Sequence, residues 1–378
     1  MTQKRSIFEE VGETAKPQAQ TGVIDRARRG SRKGVRAWLI LLFVMVAAMI
    51  IVGGLTRLTD SGLSITEWRP LTGALPPMNE AAWQAEFERY QQIPQFELQN
   101  HWMTLDDFKS IYWWEWGHRQ LGRAIGLVWA IGFFGFWATG RIPPGWHSRL
   151  VLIGALGGVQ GAVGWWMVAS GLEGTMLSVA SYRLATHLGL AFIILGFIAW
   201  FVLSLSREER DLMQARRLRE RRQFGVATGW MHFAFLQILI GALVAGIDAG
   251  RSYTDWPTIG GGWLPPDPWM ISPAWRNFLE NPALVQFVHR CVGYLLFLYS
   301  IMALLRGRRS AHRATRGAFT VAFAALTGQV ALGIYTVMTG APAQVAILHQ
   351  MLAIAVFVLI LRARFLAAYP IASTIRGG

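Results

Sequence analysis

Cysteine is all but missing from this chain of 378 residues, in which Cys291 stands alone. No intramolecular disulfide and no cysteine-based metal site can form, so any redox chemistry needs a cofactor. Charge is scarce as well: 15% of the residues are Asp, Glu, Lys or Arg, against about a quarter in soluble domains. With 53% apolar residues and 18 Trp, that balance excludes a water-soluble globular domain and indicates an integral membrane protein. Acidic residues are the scarcer sign, 22 against 36 Lys and Arg, for a net charge of +14. A nucleic-acid partner does not follow, because the basic residues fall in short segments between apolar runs, where they report topology.

No cleavable leader is expected, and the first apolar run should stay as a helix. Residues 1–36 carry nine Lys or Arg, and the run Ala37–Thr56 is too long for a signal core and has no small-residue cleavage site. Seven further apolar runs follow, near 117–139, 148–170, 182–206, 224–246, 283–305, 315–338 and 343–365. Each approximates the roughly 20 residues that cross a hydrocarbon core of about 30 Å, which predicts eight transmembrane helices in an all-α protein. Most Lys and Arg lie in the N-terminal tail, in 140–149, 207–222 and 306–316, and near the C-terminus. That places these segments and both termini on the cytoplasmic side, with 57–116, 171–181, 247–282 and 339–342 facing outward. The expected location is the cell inner membrane.

The chain repeats internally. Asp60-Ser61-Gly62-Leu63-Ser64-Ile65-Thr66-Glu67-Trp68 follows the first run, and Asp248-Ala249-Gly250-Arg251-Ser252-Tyr253-Thr254-Asp255-Trp256 follows the fifth. Both copies run on to a Leu-Pro-Pro, and both lead into a His-Arg-x-x-Gly helix, at His118 and His289. Four helices separate the copies, so they point the same way. The prediction is two parallel four-helix bundles related by a pseudo-twofold axis along the membrane normal, residues 37–206 and 224–365, joined by the Arg-rich link 207–223 and flanked by tails 1–36 and 366–378.

Four of the eight histidines, His118, His187, His289 and His349, fall on the even-numbered helices. At about 1.5 Å per residue, the last three lie on the order of 10 Å inside the outer boundary, and His118 lies at or slightly above that level. Two imidazoles at one depth on different helices of a bundle are what a porphyrin iron needs for axial ligation, so each half is expected to hold one haem-sized site. Gly122 and Gly293, one turn after His118 and His289, would let a flat ring approach. Arg119, Arg123, Arg183 and Arg290 are placed to pair with propionates. Gln160-x-x-x-Gly164, Gln237-x-x-x-Gly241 and Gln329-x-x-x-Gly333 read as close helix packing with an interhelical hydrogen bond. His232, which has no partner in the repeat, reads as a packed core residue. Glu115 precedes His118 by three residues, where the second copy has the neutral Gln286; that asymmetry points to chemistry in the first half and electron transfer in the second.

Together the motifs resemble the haem A synthase family, in its proteobacterial and mitochondrial branch. The resemblance covers nearly everything after residue 36 and rests on Gly53-Gly54-Leu55-Thr56-Arg57-Leu58-Thr59, Ser61-Gly62-Leu63-Ser64, Glu115-x-x-His118-Arg119, Ala185-Thr186-His187-Leu188, Val288-His289-Arg290 and Leu348-His349-Gln350. It implies oxidation of the C8 methyl of haem O to a formyl group, giving haem A for terminal oxidases. It also implies haem b held by His289 and His349, substrate haem between His118 and His187, and Glu115 as the functionally important acid. The implied partners are haem O, delivered by haem O synthase, an electron donor and the bilayer, with homo-oligomerisation left open. Some members carry a cysteine pair in the first outward loop, but 57–116 has none, so a thiol-mediated step does not transfer. The alternatives are a di-haem b electron carrier and a haem or small-molecule transporter.

Overall fold

The computed structural model describes residues 23–172, 174 and 176–371, with side chains described from Ser31 onward. The outermost parts of both expected tails lie outside these residues. The described chain forms twelve α-helices and no named strand: α1 (Val23–Leu58), α2 (Glu80–Tyr90), α3 (Leu105–Ala138), α4 (His147–Ala169), α5 (Ser181–Leu205), α6 (Glu209–Arg217), α7 (Arg221–Gly246), α8 (Ala249–Ser252), α9 (Asn277–Glu280), α10 (Pro282–Gly307), α11 (Arg313–Met338) and α12 (Ala343–Ala368). Among the described residues, eight of these, α1, α3, α4, α5, α7, α10, α11 and α12, are long and apolar enough to cross a membrane. This is an all-α integral membrane protein.

Two helices outrun their apolar stretches for physical reasons. At 34 residues, α3 is about 51 Å long at ~1.5 Å per residue, and its start at Leu105 precedes the expected 117. Thr104 and Asp107 form a reciprocal capping box. Phe108, Ile111, Tyr112 and Glu115 recur at helical spacing and are buried, with Phe108 and Tyr112 packing among Phe87, Tyr90, Leu63 and Ile65 of the preceding connection. The first helix likewise extends before Ala37. Arg32, within that extension, donates to the carbonyls of Ser204 at 3.1 Å and Arg207 at 2.6 Å.

Packing between helices relies on aromatic donors over glycine, since lipid offers apolar surfaces no hydrophobic reason to associate. Trp38 Nε1 of α1 donates to Val128 O at 3.0 Å beside Gly132 of α3. Trp129 Nε1 of α3 donates to Leu150 O at 3.0 Å beside Gly154 of α4. In each case a Cβ on the glycine would strike the indole. Helix α1 packs against α3 and α5, and α4 packs against the same two; α7 packs against α10 and α12, as does α11. The two sets touch through α5 with α7, α5 with α12, and α1 with α12.

One residue ties the repeat copies directly. Asp60 and Asp248, equivalent in the repeat, share a left-handed φ of 52°. Arg57 spans both, Nη1 to Asp60 Oδ1 at 2.7 Å and Nη2 to Asp248 Oδ2 at 2.6 Å, with Gly246 O at 3.3 Å. Arg57→Ala leaves two carboxylates adjacent without their cation. It is expected to cost roughly 2 kcal/mol, read as a lower thermal midpoint of the detergent-solubilised protein, with Arg57→Lys falling between variant and parent because an ammonium cannot span both partners in one plane.

Candidate functional site

All four predicted histidines meet a glycine on the neighbouring helix. A methyl group at Gly53 of α1 would lie 2.9 Å from Cε1 of His118 on α3, and one at Gly164 of α4 would lie 2.9 Å from Cε1 of His187 on α5. In the second copy, Gly241 of α7 stands 3.1 Å by the same measure from His289 on α10, and Gly333 of α11 stands 2.9 Å from His349 on α12. Contacts under about 3 Å leave no room for a side chain, so glycine is what lets each imidazole edge reach the helix. The repeating unit is therefore a helix pair that occurs four times, half the size of the unit legible in the sequence. His118 and His187 stand on helices α3 and α5, which lie diagonally across the set from each other; His289 and His349 stand likewise on α10 and α12.

The three Gln-x-x-x-Gly motifs complete these units. Gln160 Nε2 donates to His187 O at 3.0 Å, Gln237 Nε2 to His289 O at 2.9 Å and Gln329 Nε2 to His349 O at 3.0 Å. The expected interhelical bond thus exists, and its partner is the histidine itself. Each amide nitrogen is also almost equidistant from both ring nitrogens, 3.1 and 3.3 Å in the case of His289. An amide in the ring plane on one nitrogen's lone pair would be much further from the other, so the amide lies over the ring face. Both in-plane directions stay free for a ligand. A Cβ at Gly293 would sit 3.2 Å from Gln237 Nε2, and one at Gly122 would sit 3.5 Å from Met49 Cε. His232 differs from expectation. It is exposed on α7, its Nδ1–H donating to Thr228 O at 2.8 Å, one turn back on its own helix.

Glu115 is buried, at 3% exposure, and both its oxygens are engaged. Ser64 Oγ and Ile65 N donate to Oε2 at 2.7 and 2.8 Å. Arg119 Nη2 donates to Oε1 at 2.6 Å and reaches on to Ile65 O at 2.8 Å. The second copy repeats the figure with inverted polarity. There Gln286 Nε2 donates to Ala249 O at 2.8 Å and Tyr253 O at 3.0 Å, and its Oε1 accepts from Arg290 Nη2 at 2.8 Å. The carboxylate meets loop donors; the amide meets loop carbonyls. Further along the second loop, the N–H groups of Gly261 and Gly260 bond Asp255 and, with Thr258, hold its carboxyl down to about 2, so that clasp is intact above the ordinary carboxylate range and is lost only as the pH falls toward 2.

The structure can be tested against a haem on its own polar atoms. Arg183 donates to Trp166 O at 2.6 Å, and Arg290 to Thr258 O at 2.7 Å. Yet Arg123 Nη1, Arg183 Nε and Arg290 Nε are buried with no hydrogen-bond partner, as is His118 Nδ1. Diagonal imidazoles with free in-plane nitrogens, together with spare guanidinium donors, suit an iron porphyrin carrying carboxylates. A cavity of about 300 Å³ lies beside this arrangement, lined by Arg69, Tyr112, Arg119 and Arg123, and none of the four histidines lines it.

The model of one protein family, COX15-CtaA, cytochrome oxidase assembly protein, matches residues 36–361. The chain is 70% identical to the protein named Heme A synthase from Ruegeria pomeroyi, over 100% of both chains. It is 63% identical to that from Roseobacter denitrificans over 100% of both, and 61% identical to that from Paracoccus denitrificans over 99% of both.

The inverted polarity makes the two loop anchors non-interchangeable. Glu115→Gln removes the charge that Ile65 N–H and the Arg119 guanidinium, both donors only, bind, and leaves Ser64 Oγ as the one group of the three able to accept from the new NH2; it is expected to speed amide exchange at Ile65 about tenfold, the value of one charge-assisted bond. Gln286→Glu, which sets a carboxylate against two carbonyls, is expected to loosen 249–253 in the same assay.

Proposed function

The chain belongs to the cytochrome oxidase assembly protein family, and from that premise we propose that it is a haem A synthase, a membrane oxidoreductase that converts the C8 methyl of haem O to the formyl of haem A. The observation that carries the reading is the fourfold seating of His118, His187, His289 and His349 on glycines of neighbouring helices, in two diagonal pairs. Residues 37–206 form the substrate half and 224–365 the cofactor half, on the helix adjacencies described above. His118 and His187 would hold the substrate haem, and His289 and His349 would hold haem b. That haem, when bound, supplies an electron relay to the oxidation.

The remaining residues orient and exclude. Arg123, Arg183 and Arg290 have unpartnered guanidinium N–H groups to offer propionates, whereas the Arg119 guanidinium is taken up by Glu115 and the carbonyls of Ile65 and Glu67. Glu115 fixes Arg119 and residues 64–65 one turn from His118, where they would help keep bulk water from the substrate. A proton-relay role for Glu115 is compatible with its place one turn from His118, and it requires the carboxylate to exchange its bond to Ser64 Oγ for one to a water or the substrate. The basic segments set both termini on the cytoplasmic side of the inner membrane, with the haem sites and Trp-rich loops toward the opposite face. Haem O arrives from the enzyme that makes it, and electrons come from a separate donor.

Pigment extraction tests the reading. In a host that makes haem O but no haem A, expression of this chain is expected to yield haem A on chromatography. His118→Ala and His187→Ala abolish conversion, whereas His289→Ala and His349→Ala remove the haem b that co-purifies. Haem O unchanged, with two stable haem b per chain, would point to an electron carrier instead. Glu115→Gln is expected to stall conversion with both haems bound, and full haem A yield from that variant would remove its role.

A further inference from the structure

Three of the four helix pairs carry a glutamine one turn before the glycine that seats the histidine, and the fourth does not. On α4, α7 and α11 the residue is Gln160, Gln237 or Gln329; on α1 it is Met49. The spatial equivalence is direct, because Gly122 faces Met49 Cε where Gly293 faces Gln237 Nε2. Methionine has no N–H to give the His118 carbonyl and no amide to lay over the ring. Its thioether is flexible and fits many shapes. In keeping with this, His118 Nδ1 is buried without a hydrogen-bond partner.

From this we infer that Met49 is a positioning residue that leaves His118 the one loosely held imidazole of four, so that the first pair exchanges its haem while the second retains its own. The inference rests on the reading that the first pair takes the substrate. An enzyme must release its product, and a resident cofactor must stay. A glutamine clamp fixes the imidazole at two points, ring face and backbone carbonyl, and so pre-orders the ligand before iron arrives. Without the clamp, the His118 ring must be ordered on each binding event, which lowers affinity without altering the donor atom. The clamped partner His187 keeps the first pair in register, so only one side of the pair is softened.

The test follows haem transfer from the detergent-purified full-length protein, loaded with haem, to excess apomyoglobin, together with the absorption spectrum of the bound haem. Two phases are expected, and His118→Ala should delete the fast one. Met49→Gln should slow that phase roughly fivefold, the weight of one neutral hydrogen bond, and sharpen its low-spin spectrum. Met49→Leu, similar in size and equally without an N–H, should leave it unchanged. Gln237→Met should speed the slow phase by a similar factor. If Met49→Gln and Met49→Leu behave alike while His118→Ala still deletes the fast phase, the inference fails and the substrate assignment stands. If His118→Ala deletes neither phase, the assignment fails and takes the inference with it. Should Met49→Gln not accumulate, Gln237→Met and Gln329→Met decide, and no faster loss from the second pair overturns the idea.

Discussion

An imidazole edge resting on a glycine of the next helix is the contact around which the membrane part of this chain is arranged. In a bilayer, helices gain little by hiding apolar surface from one another, so association depends on close packing and on hydrogen bonds that hydrocarbon cannot replace. Each His–Gly contact supplies the first, and three glutamines supply the second from one turn away on the same helix. Two fixed points a turn apart define both the rotation and the height of the neighbouring helix. The histidines therefore take their relative heights from helix packing, and the diagonal arrangement of α3 with α5 and of α10 with α12 follows from the helix adjacencies.

The loops then do a different job. They connect to α3 and α10 through a buried side chain placed one turn before each histidine, and the bonding at that point is sign-matched: Glu115 to a hydroxyl and an amide N–H, Gln286 to two carbonyls. A buried carboxylate is tolerable only when its oxygens are satisfied, and here Ser64, Ile65 and Arg119 satisfy them. An acid one turn before His118 thus requires the loop to present donors at 64–65.

Much of this was legible in the chain before any coordinates. Span number follows from hydropathy because lipid forces every apolar run of sufficient length into a helix. The four histidines stood out because polar residues in such runs are costly. What stayed hidden depended on partners far away in sequence. Gln237 and His289 are joined by a side chain reaching a backbone carbonyl, a bond that leaves no pattern in the sequence beyond the Gln-x-x-x-Gly spacing. The fourfold unit was masked for a similar reason, since α1 has methionine at the diagnostic position and the connections within the four pairs range from the turn 339–342 to the long loop 59–104. Burial of Glu115 was equally unreadable, as nothing local reveals that α3 runs on past the membrane boundary and carries a folded cap of Phe87, Tyr90 and Phe108.

A duplicated chain begins with two of everything, so the places where one copy stands alone record what the copies stopped sharing. Arg57 serves two aspartates and has Ala245 as its counterpart; Met49 stands opposite Gln237, and Glu115 opposite Gln286. All three departures fall in the unit formed by α1 and α3, while the unit of α4 and α5 keeps the glutamine, glycine and histidine of the second copy. That unit has changed elsewhere: Arg183, one turn before His187, stands opposite Val345, and Leu188 stands opposite Gln350. The His187 side thus keeps the glutamine seat of the second copy, whereas the His118 side has Met49 in its place, Glu115 one turn before the histidine, and Arg57 tied to Asp248.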